Sequence, residues 1–198
     1  MLVFCILLIL FYVSHSILAA NGVKQIMQQK YPKIFPFYRL FYTLFSGGFF
    51  LLIIWWFVEK HENSYLFELN VVFKFMGTIL FIAGLSLTGW SVWRYGFAEF
   101  TGINSFLKTE NTKLKESPAL NTSGINAWVR HPIYTGIVFA MLGLLFLLPT
   151  IMTLSAIIIT CIYLEIGIRL EERKLIEEFG VQYIEYRKKV KKVIPLVY

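Results

Sequence analysis

Apolar and polar residues along this chain fall into long blocks rather than short periods. Four polar interruptions leave five apolar runs, at 1–20, 37–58, 71–93, 133–148 and 150–168. A run of ~20 residues rising ~1.5 Å each crosses a ~30 Å hydrocarbon layer. In lipid every backbone polar group must be satisfied within the segment, so runs of this length are helices. The fourth and fifth are separated only by Pro149 and its neighbours, which predicts a tight helical hairpin. The pattern describes an all-α integral membrane bundle of about five transmembrane helices.

Beyond the fifth run, Leu170, Leu175, Ile176, Phe179, Tyr183 and Tyr186 recur at helical spacing between Arg169 and Lys192. This spacing predicts a cytoplasmic amphipathic C-terminal helix that extends the last span. Gly180 costs about 1 kcal/mol inside a helix relative to Ala, so a bend is expected near Phe179-Gly180, and Pro195 closes the pattern. No internal repeat divides residues 1–198, which read as one domain. The first run has no basic residues before it, and Leu18-Ala19-Ala20 is a poor cleavage pattern, so it is expected to stay as a helix rather than be removed as a leader.

Composition agrees with the blocks: the chain is 57% hydrophobic and 16% charged, against about 25% charged in soluble domains. A net charge of +7 raises the question of a polyanion, but nucleic acid needs basic residues spread over a solvated face, and here they sit between apolar runs. Seventeen of the nineteen Lys and Arg residues fall in the first, third and last polar segments, while Lys60 and Lys74 flank a loop with Glu59, Glu62 and Glu68. The positive-inside rule then puts the N-terminus outside and the C-terminus in the cytoplasm. Cys5 and Cys161 lie in apolar runs as small hydrophobes rather than as a disulfide framework.

Three clusters carry candidate chemistry. In Val129-Arg130-His131-Pro132-Ile133-Tyr134-Thr135-Gly136 the proline marks a first helical turn. The positive end of that helix, with Arg130 beside it, suits a carboxylate or phosphate; the same residues also make an ordinary interfacial helix start. In Arg169-Leu170-Glu171-Glu172-Arg173-Lys174 the adjacent carboxylates point about 100° apart, so one can face a crevice and suit an ammonium or a sulfonium while the other faces water or an Arg. In the third, Tyr183 and Tyr186 offer two aromatic faces for a purine or a cation, or for packing.

Glu165, deep in an apolar run and four residues before Arg169, is either functional or one half of an ion pair. His15, between Ser14 and Ser16, either reaches a site from the other side or satisfies neighbouring backbone. Tyr38-Arg39-Leu40-Phe41-Tyr42 reads as interfacial anchoring. Phosphate-binding glycine loops, zinc spacing and a Ser-His-Asp series are missing from the sequence, so no metal is expected.

Taken together, LNTSGINAWVRHPIYTG at 120–136, RLEERKLIEEFG at 169–180 and YIEYRKKVKKVIP at 183–195 resemble the membrane methyltransferases related to isoprenylcysteine carboxyl methyltransferase. The resemblance covers roughly residues 95–195 and rests on the order and spacing of the three motifs. It implies S-adenosylmethionine bound from the cytosolic side and a lipophilic or small acceptor, a carboxylate, thiol or amine. It further implies that Arg130, His131, Pro132 and Tyr134 border the cofactor, that Glu171 and Glu172 hold it, and that Tyr183 and Tyr186 help cover it. As candidate catalytic groups, Arg169 orients a carboxylate acceptor and Glu172 places the donor. SHSILAANGVKQ and FYRLFY look similar to bacterial members, which implies a cell inner membrane.

Two rival readings accompany it. Membrane sterol and steroid reductases share an RHP-like segment and a tyrosine-bearing tail, but a dinucleotide phosphate calls for more basic residues than the paired Glu allow. A non-enzymatic accessory or transport role calls for charges deep in several spans, and apart from Glu165 they are nearly absent.

Overall fold

A computed structural model of the chain describes residues 1–60, 65–103 and 120–195. Lys108, Lys113, Lys115 and Glu62 of the charge pattern lie outside the described residues. The elements are α1 (Leu2–Ala19), α2 (Asn21–Lys30), α3 (Phe35–Lys60), α4 (Val71–Arg94), α5 (Phe97–Thr101), α6 (Pro132–Leu147), α7 (Ile151–Phe179) and α8 (Val181–Lys189), with a 3₁₀ turn at Gly124–Ala127. Four of them, α1, α3, α4 and α7, are long and apolar enough to cross a membrane; α6 is equally apolar but has only 16 residues. The chain is an integral membrane protein built as a helical bundle.

The outward faces carry large apolar side chains. On α7, Ile158, Ile162, Ile166 and Leu170 form an exposed stripe one turn apart, and α1 and α4 expose similar stripes. Surface of this kind is costly in water and matched to hydrocarbon. Inside, Phe4 and Leu8 of α1 pack with Ile53 of α3 and with Met152 and Ala156 of α7. Cys5 is partly buried against that cluster, whereas Cys161 is exposed.

Small residues set the α4–α6 contact. A Cβ added at Gly84 would stand 2.8 Å from Ala140 Cα, and one at Gly143 would stand 2.7 Å from Gly77 O. Two backbones that close need residues without side chains, a common device where no hydrophobic effect drives helices together. Thr88 and Ser91 return their hydroxyls to Gly84 O and Leu87 O at 2.9 and 2.7 Å, so both are satisfied within α4.

The hairpin is present: Leu148, Pro149 and Thr150 join α6 to α7, and the Thr150 hydroxyl accepts from Thr153 N at 3.2 Å as an N-cap. From there α7 runs unbroken for 29 residues, about 44 Å. That exceeds a ~30 Å hydrocarbon layer, so the span and the first part of the amphipathic tail form one rod whose last turns stand clear of the lipid. The bend falls at Gly180, where φ is +55°, and α8 begins on its far side. A helix absent from the sequence reading, α2, is a short amphipathic segment with no buried residue.

Candidate active site

The start of α6 is held by the chain end rather than left open. After α8 the backbone runs beside residues 129–131: Arg130 N donates to Lys191 O at 2.8 Å and His131 N to Lys192 O at 3.0 Å. The Thr135 hydroxyl donates to Val193 O at 2.7 Å. His131 is the N-cap residue and Pro132 the first residue of α6, as proline's missing N–H favours. Tyr186 of α8 donates to Asn126 O at 2.5 Å, which pins the 3₁₀ turn before it.

α7 approaches this start with its two adjacent carboxylates in different surroundings. Glu172 is 6% exposed, and its Oε1 accepts from Arg130 Nε at 2.9 Å and Nη2 at 2.6 Å. Arg130 Nη1 donates to the carbonyls of Arg187 and Val190, so one guanidinium joins α7, the α8 end and the loop before α6. Glu171 is half exposed, and its Oε2 stands 3.5 Å from His131 Nδ1, while His131 Nε2 stands 3.4 Å from Glu172 Oε1. With a carboxylate facing each ring nitrogen, only the doubly protonated imidazolium donates to both. Burial pushes the His131 pKa down, but the hydrogen bonds and charges of Glu171 and Glu172 outweigh it and hold the value above the ordinary histidine range.

A cavity of about 730 Å³ opens in front of Glu171, between α1, α6 and α7. Arg130, His131, Pro132, Tyr134 and Glu171 line it. Glu172 does not, because the 100° step along the helix turns it into the Arg130 clamp. Arg169 lines a separate groove, paired with Glu165 at 2.7 Å, and Lys192 approaches Glu165 at 3.3 Å. Tyr183 and Tyr186 are also turned away from the cavity: they are 1% and 9% exposed, packed edge to face behind the Arg130 clamp. Burial pushes the Tyr186 hydroxyl up to about 12 and raises that of Tyr183 as well, so both stay neutral.

The N-terminal half of the chain contributes walls that the 95–195 resemblance omits. Phe11, Tyr12, His15 and Ala19 recur along one face of α1, and Arg39 comes from α3. Arg39 stands among aromatics and reads as an anchor in sequence, yet it lines the cavity, and Gly102, with φ +80°, packs closely against Arg39 and Leu40. Tyr12 and Tyr163 stack at 4.0 Å, and the Tyr12 hydroxyl lies 2.7 Å from Thr160 Oγ1, closing the α1–α7 side. Tyr95, just past α4, lines the cavity and bonds Asn126 at 3.4 Å. Arg39 and Tyr95 each stand alone in their own segment, so no spacing rule links them to the α1 face.

Residues 72–182 match the model of the phospholipid methyltransferase family. Among curated proteins the chain is 30% identical over 199 residues to methanethiol S-methyltransferase 1 of Bradyrhizobium diazoefficiens, covering 96% of this chain and 65% of that protein. It is 29% identical over 198 residues to methanethiol S-methyltransferase of Crocosphaera subtropica, covering 96% and 73%. A shorter match, 35% over 101 residues, links 50% of this chain to 42% of protein-S-isoprenylcysteine O-methyltransferase of Saccharomyces cerevisiae. No solved structure matches. The family match takes in α4, α6, α7 and the Arg130-Glu172 clamp, more than half of the chain, and on that ground the chain belongs to the phospholipid methyltransferase family.

Proposed function

We propose that this protein transfers a methyl group from S-adenosylmethionine to a small thiol at the cytoplasmic face of its membrane. The observation that carries the reading is the cavity whose wall brings together Glu171, Arg39, Tyr12, Tyr134 and Tyr163. S-adenosylmethionine has an ammonium, a carboxylate, a sulfonium and a purine. A carboxylate suits the first, guanidinium the second, and aromatic faces the other two. A volume of about 730 Å³ lies within the range of sites for small organic ligands.

When bound, the sulfonium supplies an activated methyl group that a nucleophile takes by in-line displacement. The residues of this chain then have to orient donor and acceptor and exclude water. In this reading Glu171 and Arg39 hold the amino-acid end of the donor, and the His131 imidazolium fixes the Glu171 carboxylate. Glu172 acts through Arg130 as a positioning residue. In this reading neither Glu172, clamped by Arg130, nor Arg169, paired with Glu165, touches donor or acceptor; both line the separate groove.

Two observations favour a small thiol over a prenylated carboxylate. The likeness to the methanethiol enzymes runs along 96% of the chain and includes the α1 and α3 walls, whereas the likeness to the yeast enzyme covers half. The Tyr12–Tyr163 stack and its bond to Thr160 close the cavity on the α1–α7 side. The distribution of basic segments supports an orientation with the N-terminus outside and the C-terminus cytoplasmic.

Calorimetric titration of the detergent-purified protein with S-adenosylhomocysteine, and separately with NADPH, tests the donor. Saturable binding of S-adenosylhomocysteine, weakened at least about tenfold in Glu171→Gln, is expected. Binding of NADPH alone overturns the reading.

A further inference from the structure

His15 is the one ionisable α1 side chain besides Tyr12 on the cavity wall, and nothing in the donor site uses it. Its Nδ1 lies 3.0 Å from the hydroxyl of Ser46, an α3 residue only 8% exposed. Phe11 stacks on the ring at 6.0 Å and Tyr42 meets it edge-on at 6.2 Å. The imidazole is thus oriented by a buried hydroxyl and two rings, at a cavity wall contributed by α1, while the donor's amino-acid end is assigned to Glu171 of α7 and Arg39 of α3. A histidine whose one nitrogen is engaged presents the other to whatever occupies the space.

We propose that His15 is the general base that takes the proton of the thiol acceptor, a role that rests on the methyl-transfer reading. With Nδ1–H donating to Ser46 Oγ, Nε2 holds the lone pair. An alkyl thiol is mostly protonated at neutral pH, and the thiolate is the nucleophile. The S–H proton passes to Nε2, and the electron pair left on the thiol sulfur forms the new S–CH3 bond. The bond from that methyl to the sulfonium breaks, and its pair returns to the donor sulfur, leaving a neutral thioether. The products are the methylated thioether, S-adenosylhomocysteine and one proton, which the His15 imidazolium releases to solvent.

The other titratable groups around the cavity are already engaged or of the wrong kind for this step. Tyr12 of α1 bonds Thr160, and the α7 groups are Tyr163, stacked on Tyr12, and Glu171, held by His131. Tyr95 bonds Asn126, Tyr134 stacks on His131, and Arg130 is clamped on Glu172. Arg39 of α3 and the doubly bonded His131 at the α6 start have no basic lone pair to offer, and Tyr42 of α3 is in edge contact with His15 itself.

The test compares two acceptors in His15→Ala, His15→Gln and Ser46→Ala. Ethanethiol arrives protonated; 4-nitrothiophenol is already a thiolate at neutral pH. Wild type is expected to bind S-adenosylhomocysteine and methylate both. In the His15 variants kcat/KM for ethanethiol is expected to fall at least about 100-fold while 4-nitrothiophenol stays within about threefold, and Ser46→Ala to fall about tenfold on ethanethiol alone. Added imidazole restores part of the ethanethiol rate in His15→Ala, and the rate in both His15 variants climbs about tenfold per pH unit between about pH 6 and 9, as thiolate is drawn from solution. S-adenosylhomocysteine affinity within about twofold of wild type reports a folded donor site; if His15→Ala loses it, His15→Gln, closer in size, carries the comparison. Equal losses on the two thiols, or no loss on ethanethiol, overturn the role of His15 and leave methyl transfer standing. A wild-type protein that binds S-adenosylhomocysteine but methylates neither thiol overturns both the thiol acceptor and this proposal.

Discussion

Glu172 Oε1 receives both Nε and Nη2 of Arg130, at 2.9 and 2.6 Å, with the two side chains 7% and 6% exposed. The same oxygen lies 3.4 Å from His131 Nε2. This oxygen joins α7 to the α6 start, and Arg130 carries the link on to the chain end. Its neighbour Glu171, half exposed, faces the cavity.

The two carboxylates should therefore separate experimentally. Glu172→Gln leaves a buried guanidinium without its counter-charge, and a stability loss of about 3 kcal/mol is expected. Glu171→Gln should cost about 1 kcal/mol and weaken S-adenosylhomocysteine binding at least about tenfold. Thermal unfolding in detergent and calorimetry read the two effects.

Stability should depend on pH through His131. Its pKa is raised in the folded protein, against burial, by Glu171 and Glu172. The stabilisation is thus fully present below the unfolded value of about 6.5 and is lost as pH rises through the higher folded value. The midpoint of thermal unfolding should fall across that window in wild type, with the corresponding slope missing in His131→Gln.

Gly84→Leu should push α6 away from α4, since even a Cβ there meets Gly136 O at 2.5 Å and Ala140 Cα at 2.8 Å. Overpacking of this kind costs about 1–3 kcal/mol. Because α6 carries Tyr134 and follows His131, donor binding should weaken with it. Gly47→Ala, where nothing lies within 4 Å, should leave both unchanged. Thermal unfolding and S-adenosylhomocysteine titration of the two variants check this.

Tyr186→Phe removes the donor to Asn126 O and should cost about 1–3 kcal/mol. Since the ring lies behind the clamp and away from the cavity, S-adenosylhomocysteine affinity should stay within about twofold. A large affinity loss in a stable variant would mean that α8 covers the donor after all.

The sequence by itself determined the helical membrane class, the hairpin at Pro149, the bend at Gly180 and the three motifs around the α6 start, the α7 end and α8. These are local properties: hydropathy, helix length, proline's missing N–H and glycine's tolerance of positive φ act within a few residues. Tertiary structure alone decided which of two adjacent glutamates faces the cavity, because that depends on where the 100° step points relative to Arg130. It likewise turned Tyr183 and Tyr186 into packing behind the clamp and brought Arg39, Tyr95 and His15 to the cavity wall. Those residues are isolated in sequence, and only the crossing of α1, α3 and α7 puts them in one place.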